Sequence, residues 1–317
     1  MKRFLQRWIT SVVLSASLVA ATVGASYGEY KVVRIGFQKY GKLVLLKGKG
    51  TLEERLKPLG FKAAWTEFPA GPQLLEAVNV GAIDFGNTGE APPIFAQAAG
   101  APILYVAHEP PAPLGEAILV SKDSPIKSVA DLNGKKVALN KGSNVHYLLL
   151  RALEKAGVKY ADIQPVFLAP ADARAAFERG AVDAWAIWDP FQAAAEAATG
   201  ARTLTDGVGI VANHQFYLAA KPFAEGHPEV LDVVLAELSE VDAWAKSDIK
   251  AVAQQLSPSI GIPASILEAA LKRQSYGIRP ITPGVIAEQQ RVADAFLALG
   301  LLPKAIKVSE AVWRSGS

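Results

Sequence analysis

The chain runs to 317 residues, half of them hydrophobic and a fifth charged, enough to bury a substantial core and to make about two domains. It contains no cysteine, which excludes a disulfide framework, a zinc–thiolate centre, a catalytic thiol and a lipid anchor attached through cysteine. Its formal charge of +3 comes from Lys2, Arg3 and Arg7, which precede any acidic residue.

Those three residues open a segment, 1–25, that reads as a secretory signal. An uncharged stretch from Trp8 to Val23 follows them, and Val23-Gly24-Ala25 offers the small residues that a signal peptidase accepts. A membrane anchor is the alternative, but the stretch is shorter than the roughly 20 apolar residues of a span and carries several hydroxyls. Of 33 Lys+Arg and 30 Asp+Glu, three basic residues leave with the signal, so the chain from Ser26 onward is neutral. A neutral, well-mixed surface argues against nucleic acid or a charged membrane face as a partner. The expectation is a monomer in the periplasm, free of the membrane. An anionic ligand would need a local site.

After the signal, Lys31–Gly36 reads as a strand and 43–57 as one helical stretch. A strand over Phe61–Phe68 and a helix from Pro72 to Val80 follow. Ala82–Phe85 reads as a short buried strand, Glu90–Ala99 as a helix with Pro92 and Pro93 in its first turn, and Ile103–Ala107 as a strand. A proline-rich break at Pro110, Pro111 and Pro113 interrupts the series. Alternation resumes with strands at 117–120, 136–139, 165–168 and 182–188 and helices at 143–156 and 171–179. Phe216–Ala220 is a further strand, and the rest is nearly all helical, through 230–246, 264–272 and 283–299. Strand–helix alternation implies mostly parallel sheets. The break near 110–115 and a return near 208–215 suggest two lobes, 26–112 with 216–317 and 113–215. A single doubly wound domain is the alternative. No internal repeat or low-complexity tract is present.

In open α/β sheets, ligands bind beyond the carboxyl ends of the strands. Four such ends carry polar or glycine-rich turns: Phe37-Gln38-Lys39-Tyr40-Gly41, Gly86-Asn87-Thr88-Gly89-Glu90, Asn140-Lys141-Gly142-Ser143-Asn144 and Trp188-Asp189-Pro190. Two of them are expected to open helices, whose free N–H groups and dipole bind anions without a formal charge. Gly89 and Gly142 would let the backbone approach, and Thr88, Ser143 and Asn144 would add donors. The alternative is that these three merely cap helices. Trp188 could wall an apolar tail, or pack in the core, a reading that fits Trp185 better. Gln38 and Asn213 are neutral polar candidates. The four histidines, His108, His146, His214 and His227, show no metal-ligand spacing. Ser143 and His146 lie three apart but lack an orienting third group. There is no P-loop and no complete dinucleotide fingerprint. An enzyme is not expected, nor is a cofactor.

The stretches IGFQKYGKLVLLKGKG (35–50), EFPAGPQLLEAVNVGAIDFGNTGEAPPIFAQAAGAPILYVAHEPPAP (67–113), VALNKGSNVHYLLLRALEKAG (137–157), PADARAAFERGAVDAWAIWDPF (170–191) and VANHQFYLA (211–219) resemble the aliphatic sulfonate-binding proteins of bacterial ABC transporters. The likeness runs from about residue 31 to about 300 and holds in order over long blocks. It implies a two-lobed periplasmic-binding-protein fold of type II, α/β, with two crossing strands and a helical carboxyl-terminal part, closing on ligand like a hinge. It implies delivery of an alkanesulfonate to a membrane permease. It also implies a cleft site made by Gln38, Thr88, Gly89, Glu90, Gly142, Ser143, Asn144 and Trp188, to which Asp189 and Asn213 are added from the strand-end reading. Receptors for taurine, nitrate, sulfate esters or thiamine precursors share this fold and stay open as alternatives. A sulfonate suits such a site chemically, because it is a permanent monoanion with three weak acceptor oxygens. Leaving out a strong cationic clamp would discriminate against phosphate dianions.

Overall fold

The computed structural model describes residues 31–314; the signal expected over 1–25 lies outside them. The chain runs β1 (Lys31–Phe37), α1 (Lys42–Lys49), α2 (Thr51–Leu56), β2 (Phe61–Glu67), α3 (Gly71–Asn79), β3 (Phe85–Gly89), α4 (Pro92–Ala98) and β4 (Ile103–His108). It continues through β5 (Glu116–Val120), β6 (Lys136–Leu139), α5 (Asn144–Lys155), β7 (Gln164–Phe167), α6 (Pro170–Glu178), β8 (Ala184–Trp188), α7 (Phe191–Thr199) and β9 (Arg202–Asp206). After β10 (Gln215–Ala220) come only helices of length: α8 (Lys221–Gly226), α9 (Pro228–Ser247), α10 (Ile249–Ile260), α11 (Ala264–Lys272) and α12 (Pro283–Ala298).

The strands form two five-stranded sheets, ordered β2-β1-β3-β10-β4 and β7-β6-β8-β5-β9. In the first, β1 is parallel to β2 and β3, and β10 is antiparallel to its neighbours β3 and β4. In the second, β6 is parallel to β7 and β8, and β5 is antiparallel to β8 and β9. The antiparallel strand in each sheet is thus the one that has just crossed from the other. The two crossings, β4 to β5 and β9 to β10, are tied together: Glu109 N–H donates to the Gln215 carbonyl at 2.8 Å, Ala112 N–H to that of Ala212 at 3.0 Å, and Gly207 N–H to that of Pro113 at 2.9 Å. Prolines 110, 111 and 113 suit a segment that extends without joining a ladder.

The inner strands β5 and β8 of the second sheet are covered on both faces and carry apolar runs: Ala117–Val120 and Ala184–Ala186 are fully buried. Helix α5 buries Val145, Leu148, Leu149, Ala152 and Leu153, the i, i+3, i+4 stripe of a helix lying on a sheet. No helix among the described residues is long and apolar enough to cross a membrane.

Four elements differ from the sequence expectation, one of them the helix α7, since no element was expected over 191–199. The stretch over 43–57 is two helices, because Gly50 adopts a left-handed conformation, φ 69°, and ends α1. The third strand is Phe85–Gly89 and not 82–85; the FGNTG sequence has poor strand propensity, but its place between β1 and β10 overrides that. Glycine is required inside it, since a Cβ on Gly86 would sit 2.7 Å from Leu74 Cδ2 and 3.1 Å from the Gly36 carbonyl oxygen. Finally, β9 was not expected at all. It is an edge strand of sequence RTLTD, half-exposed, with a single apolar residue.

Candidate functional site

A cavity of about 380 Å3 lies between the two sheets, at the carboxyl ends of β1, β2, β3 and β8. Gln38 and Tyr40 enter it after β1, Phe68 after β2, Asn87 and Gly89 from the end of β3, and Trp188 and Asp189 from the end of β8. The amino ends of α1, α3, α5 and α6 also face it, through Gly41, Gly71, Ser143 with Asn144, and Pro170 with Ala171. None of these four helix starts has a side-chain cap. Their free N–H groups and dipoles converge on one space, a favourable surrounding for an anion. Lys39 lines the cavity but pairs with Glu67 at 3.7 Å.

Seven of the ten residues expected at the site line this cavity: Gln38, Gly89, Ser143, Asn144, Trp188, Asp189 and Asn213. Gln38 Nε2 donates to the Asn87 carbonyl at 3.1 Å. Ser143 stands at the start of α5, yet its hydroxyl donates to the Asn140 carbonyl at 2.7 Å and does not cap the helix. Asn144 Nδ2 donates to Glu116 and to Asn213 Oδ1, the latter at 3.0 Å. Asn213, at φ 53°, donates through Nδ2 to the Ala112 carbonyl at 2.9 Å, joining the two crossings. Trp188 is partly exposed at the end of β8, its ring 6.3 Å from that of Phe191 and nearly perpendicular to it. Trp185, by contrast, is fully buried core.

Thr88, Glu90 and Gly142 are placed otherwise. The 86–90 segment does not open a helix: Thr88 and Gly89 end β3, and α4 starts at Pro92. Strand alternation therefore turns Asn87 and Gly89 toward the cavity and Thr88 away from it. Thr88 is fully buried, and its hydroxyl donates to the Gly89 carbonyl at 3.0 Å. Glu90 is buried beside the crossings, where it accepts from His214 N–H at 3.2 Å. Burial pushes its carboxyl up to about 7. Glu116 is pushed well up too, chiefly by burial and then by the charge of Glu90, with the Asn144 amide opposing. Gly142 forms the turn before α5, its N–H donating to His146 Nδ1 at 3.2 Å. His146 Nε2 meets the Tyr160 hydroxyl at 3.0 Å, and burial pulls the imidazole down to about 4. The Ser143 hydroxyl and the His146 ring thus hydrogen-bond to different groups.

Glycine at position 89 permits a close approach between the lobes. A Cβ there would lie 2.8 Å from Asn144 Cγ and Oδ1 and 3.0 Å from Asn144 Cβ, its three nearest atoms. A second contact across the cleft joins Arg273, just after α11, to Asp189 at 3.5 Å and to Glu196 of α7 at 2.5 Å.

Sequence reasoning missed a buried ionic group beneath the cavity. Lys42, the first residue of α1, is 1% exposed. Its Nζ lies 2.6 Å from Glu109 Oε2, 2.8 Å from the Ser275 carbonyl and 3.6 Å from Asp242, and 4.7 Å from the centre of the Tyr276 ring. Tyr217 donates to Glu109 Oε1 at 2.7 Å. Glu109, Gln274 and Ser275 line the cavity floor. The one signal was Lys42 itself, a lysine leading into the apolar run Leu43–Leu46.

The fold and the cleft are those of a periplasmic binding protein. The structure superposes on the periplasmic aliphatic sulphonate binding protein SsuA from Escherichia coli with a TM-score of 0.81 and 49% identity, covering 90% of this chain and 92% of that one. The alkanesulfonate-binding protein SsuA from Xanthomonas axonopodis pv. citri, bound to MOPS, gives 0.85 and 43%, covering 91% and 100%. In sequence, a protein of Escherichia coli K12 named for binding aliphatic sulfonates is 47% identical over 97% of each chain. The NMT1/THI5-like family model matches residues 67–246, and the chain belongs to that family.

Proposed function

We propose that the chain is an extracytoplasmic receptor that captures aliphatic sulfonates in the cleft between its two lobes and delivers them to an ABC importer. The observation that carries this reading is the convergence of four uncapped helix starts on a cavity whose one lining lysine is already paired. Such a site holds a weakly basic monoanion by neutral donors. The names of the close relatives support the ligand class. The chain would be exported by the 1–25 signal, work as a periplasmic monomer, and fold as lobes 26–112 with 216–317 and 113–215. Gln38, Gly89, Ser143, Asn144, Trp188, Asp189 and Asn213 would meet the ligand. Thr88, Glu90 and Gly142 would shape the walls behind it.

Melting the chain from Ser26 onward against methanesulfonate, longer alkanesulfonates, sulfate and thiamine precursors tests the reading. A true ligand at a hundredfold excess over its dissociation constant stabilises by about 2.7 kcal/mol. A shift with sulfate or a thiamine precursor and none with any alkanesulfonate refutes the assignment. Within the same series, Trp188→Ala is expected to leave methanesulfonate binding nearly unchanged. It should weaken longer ligands progressively, by up to about 0.8 kcal/mol for each methylene that the indole covers. Calorimetry along the tail-length series checks this, and an equal loss for every ligand removes Trp188 from the tail.

A further inference from the structure

A sulfonate brings acceptors and no hydrogen to give, so every group that receives it should be a donor. Three polar atoms of cavity-lining residues are buried without a protein partner: the Tyr40 hydroxyl, Asn87 Oδ1 and Asp189 Oδ2. Tyr40 can donate to a sulfonate oxygen. Asn87 can turn its amide and present Nδ2. Asp189, as a carboxylate, can only accept, and a sulfonate leaves it unanswered.

Charge at this point is also out of balance. Asp189 is 1% exposed. Its Oδ1 accepts from Ala193 N–H at 3.1 Å, and Arg273 lies 3.5 Å from the same oxygen. That guanidinium is shared, because its other nitrogen is held at 2.5 Å by Glu196. One cation thus serves two carboxylates, and the buried one is the less well matched. Elsewhere at the cavity, Lys39 pairs with Glu67 and Lys42 with Glu109. Capping α7 accounts for Oδ1 of Asp189 but not for Oδ2. Burial pushes this carboxyl up to about 7, with Arg273 opposing and Glu196 adding to the rise. The Asp189 charge in turn helps hold the Tyr40 hydroxyl high, after burial itself. Aromatic rings flank the carboxylate in sequence, Trp188 and Phe191, and Tyr40 joins them in lining the cavity. A carboxylate among aromatic rings is the chemistry that receives an ammonium group.

We propose that Asp189, with Trp188, Phe191 and Tyr40 around it, is a subsite for a cationic nitrogen in the ligand tail, so that the protein prefers aminoalkanesulfonates to alkanesulfonates of equal length. This rests on the sulfonate reading above. The sulfonate takes the helix starts, and the ammonium supplies both the donor that Asp189 Oδ2 lacks and the missing positive charge. The ligand enters as a zwitterion, its anionic end at the helix starts and its cationic end at the buried carboxylate.

The test is calorimetry in a sulfonate-free buffer with two isosteric pairs: taurine against 1-propanesulfonate, and 3-aminopropanesulfonate against 1-butanesulfonate. Each pair exchanges an ammonium for a methyl group. For the pair whose length fits, the parent protein is expected to bind the amine at least about tenfold tighter, as a charge-assisted hydrogen bond implies. Asp189→Asn keeps an acceptor for Ala193 N–H and should abolish that preference, costing the amine at least about tenfold more than it costs the alkanesulfonate of the same pair. Equal or tighter binding of the alkanesulfonate in both pairs overturns the proposal without any variant being needed. So does an equal loss for both members of a pair in Asp189→Asn. If alkanesulfonates bind and the amines do not, the subsite alone fails. If none of the four binds, the sulfonate reading fails and the subsite with it.

Discussion

Lys42→Ala is expected to lower the stability of the unliganded protein by about 3–5 kcal/mol, a large share of what a chain of this kind has. The lysine is almost wholly buried, and its ammonium answers Glu109, the Ser275 carbonyl and Asp242 together. Removing it leaves carboxylates in a dry interior with no counter-charge, which costs more than the pair itself contributes. The group also joins distant parts of the chain: α1, the end of β4, α9 and the segment after α11. Its loss should therefore loosen the helical carboxyl-terminal part from the first sheet. Urea denaturation of the ligand-free protein gives the number. A companion Lys42→Met, Glu109→Gln double variant should recover part of it, because one of the two uncompensated carboxylates is then neutral while Asp242 remains. A single variant within about 1 kcal/mol of the parent would show that the ionic group is not a unit of the fold.

Gly89→Ala is expected to act on closure. The three atoms nearest a Cβ at this position all belong to Asn144, on the far side of the cleft, and Asn144 is held by Glu116 and Asn213 and cannot swing away. Overpacking of this kind costs about 1–3 kcal/mol, and the cost falls on the arrangement in which the lobes touch. Sulfonate affinity should drop by about 5- to 150-fold, while the melting point without ligand moves much less. Small-angle scattering should show compaction on adding ligand to the parent and less of it in the variant. Full affinity and full compaction in Gly89→Ala would mean that 89 and 144 do not meet when ligand is bound.

Much of the architecture was legible because parallel strands buried on both faces leave apolar runs, and because prolines marked the first crossing. What failed was local. The strand at 85–89 is written in glycine, asparagine and threonine, and only its neighbours β1 and β10 make it a strand. Reading it as a turn hid its two-residue alternation, and so Thr88 was placed at the site in preference to Asn87. The edge strand β9 is polar because one of its sides faces solvent, and no apolar pattern announces it. At the site, the turns at strand ends pointed to seven lining residues. Nothing in the sequence tied Arg273, Gln274 and Ser275 to them, since those residues arrive from the far end of the chain and only packing brings them under the cavity.

The first sheet is finished by a strand that comes from beyond the other lobe. On the ribosome, β3 and β4 emerge early, but the gap between them stays empty until β10 has been made, after the whole second lobe. Pairing at such long range along the chain is slow to form. A chain made amino end first is thereby kept from completing its first lobe until the second has been made. The same wiring forbids dividing the protein by a single cut. A fragment ending between β4 and β10 would expose two facing strand edges in the middle of the first sheet, an open invitation to aggregate.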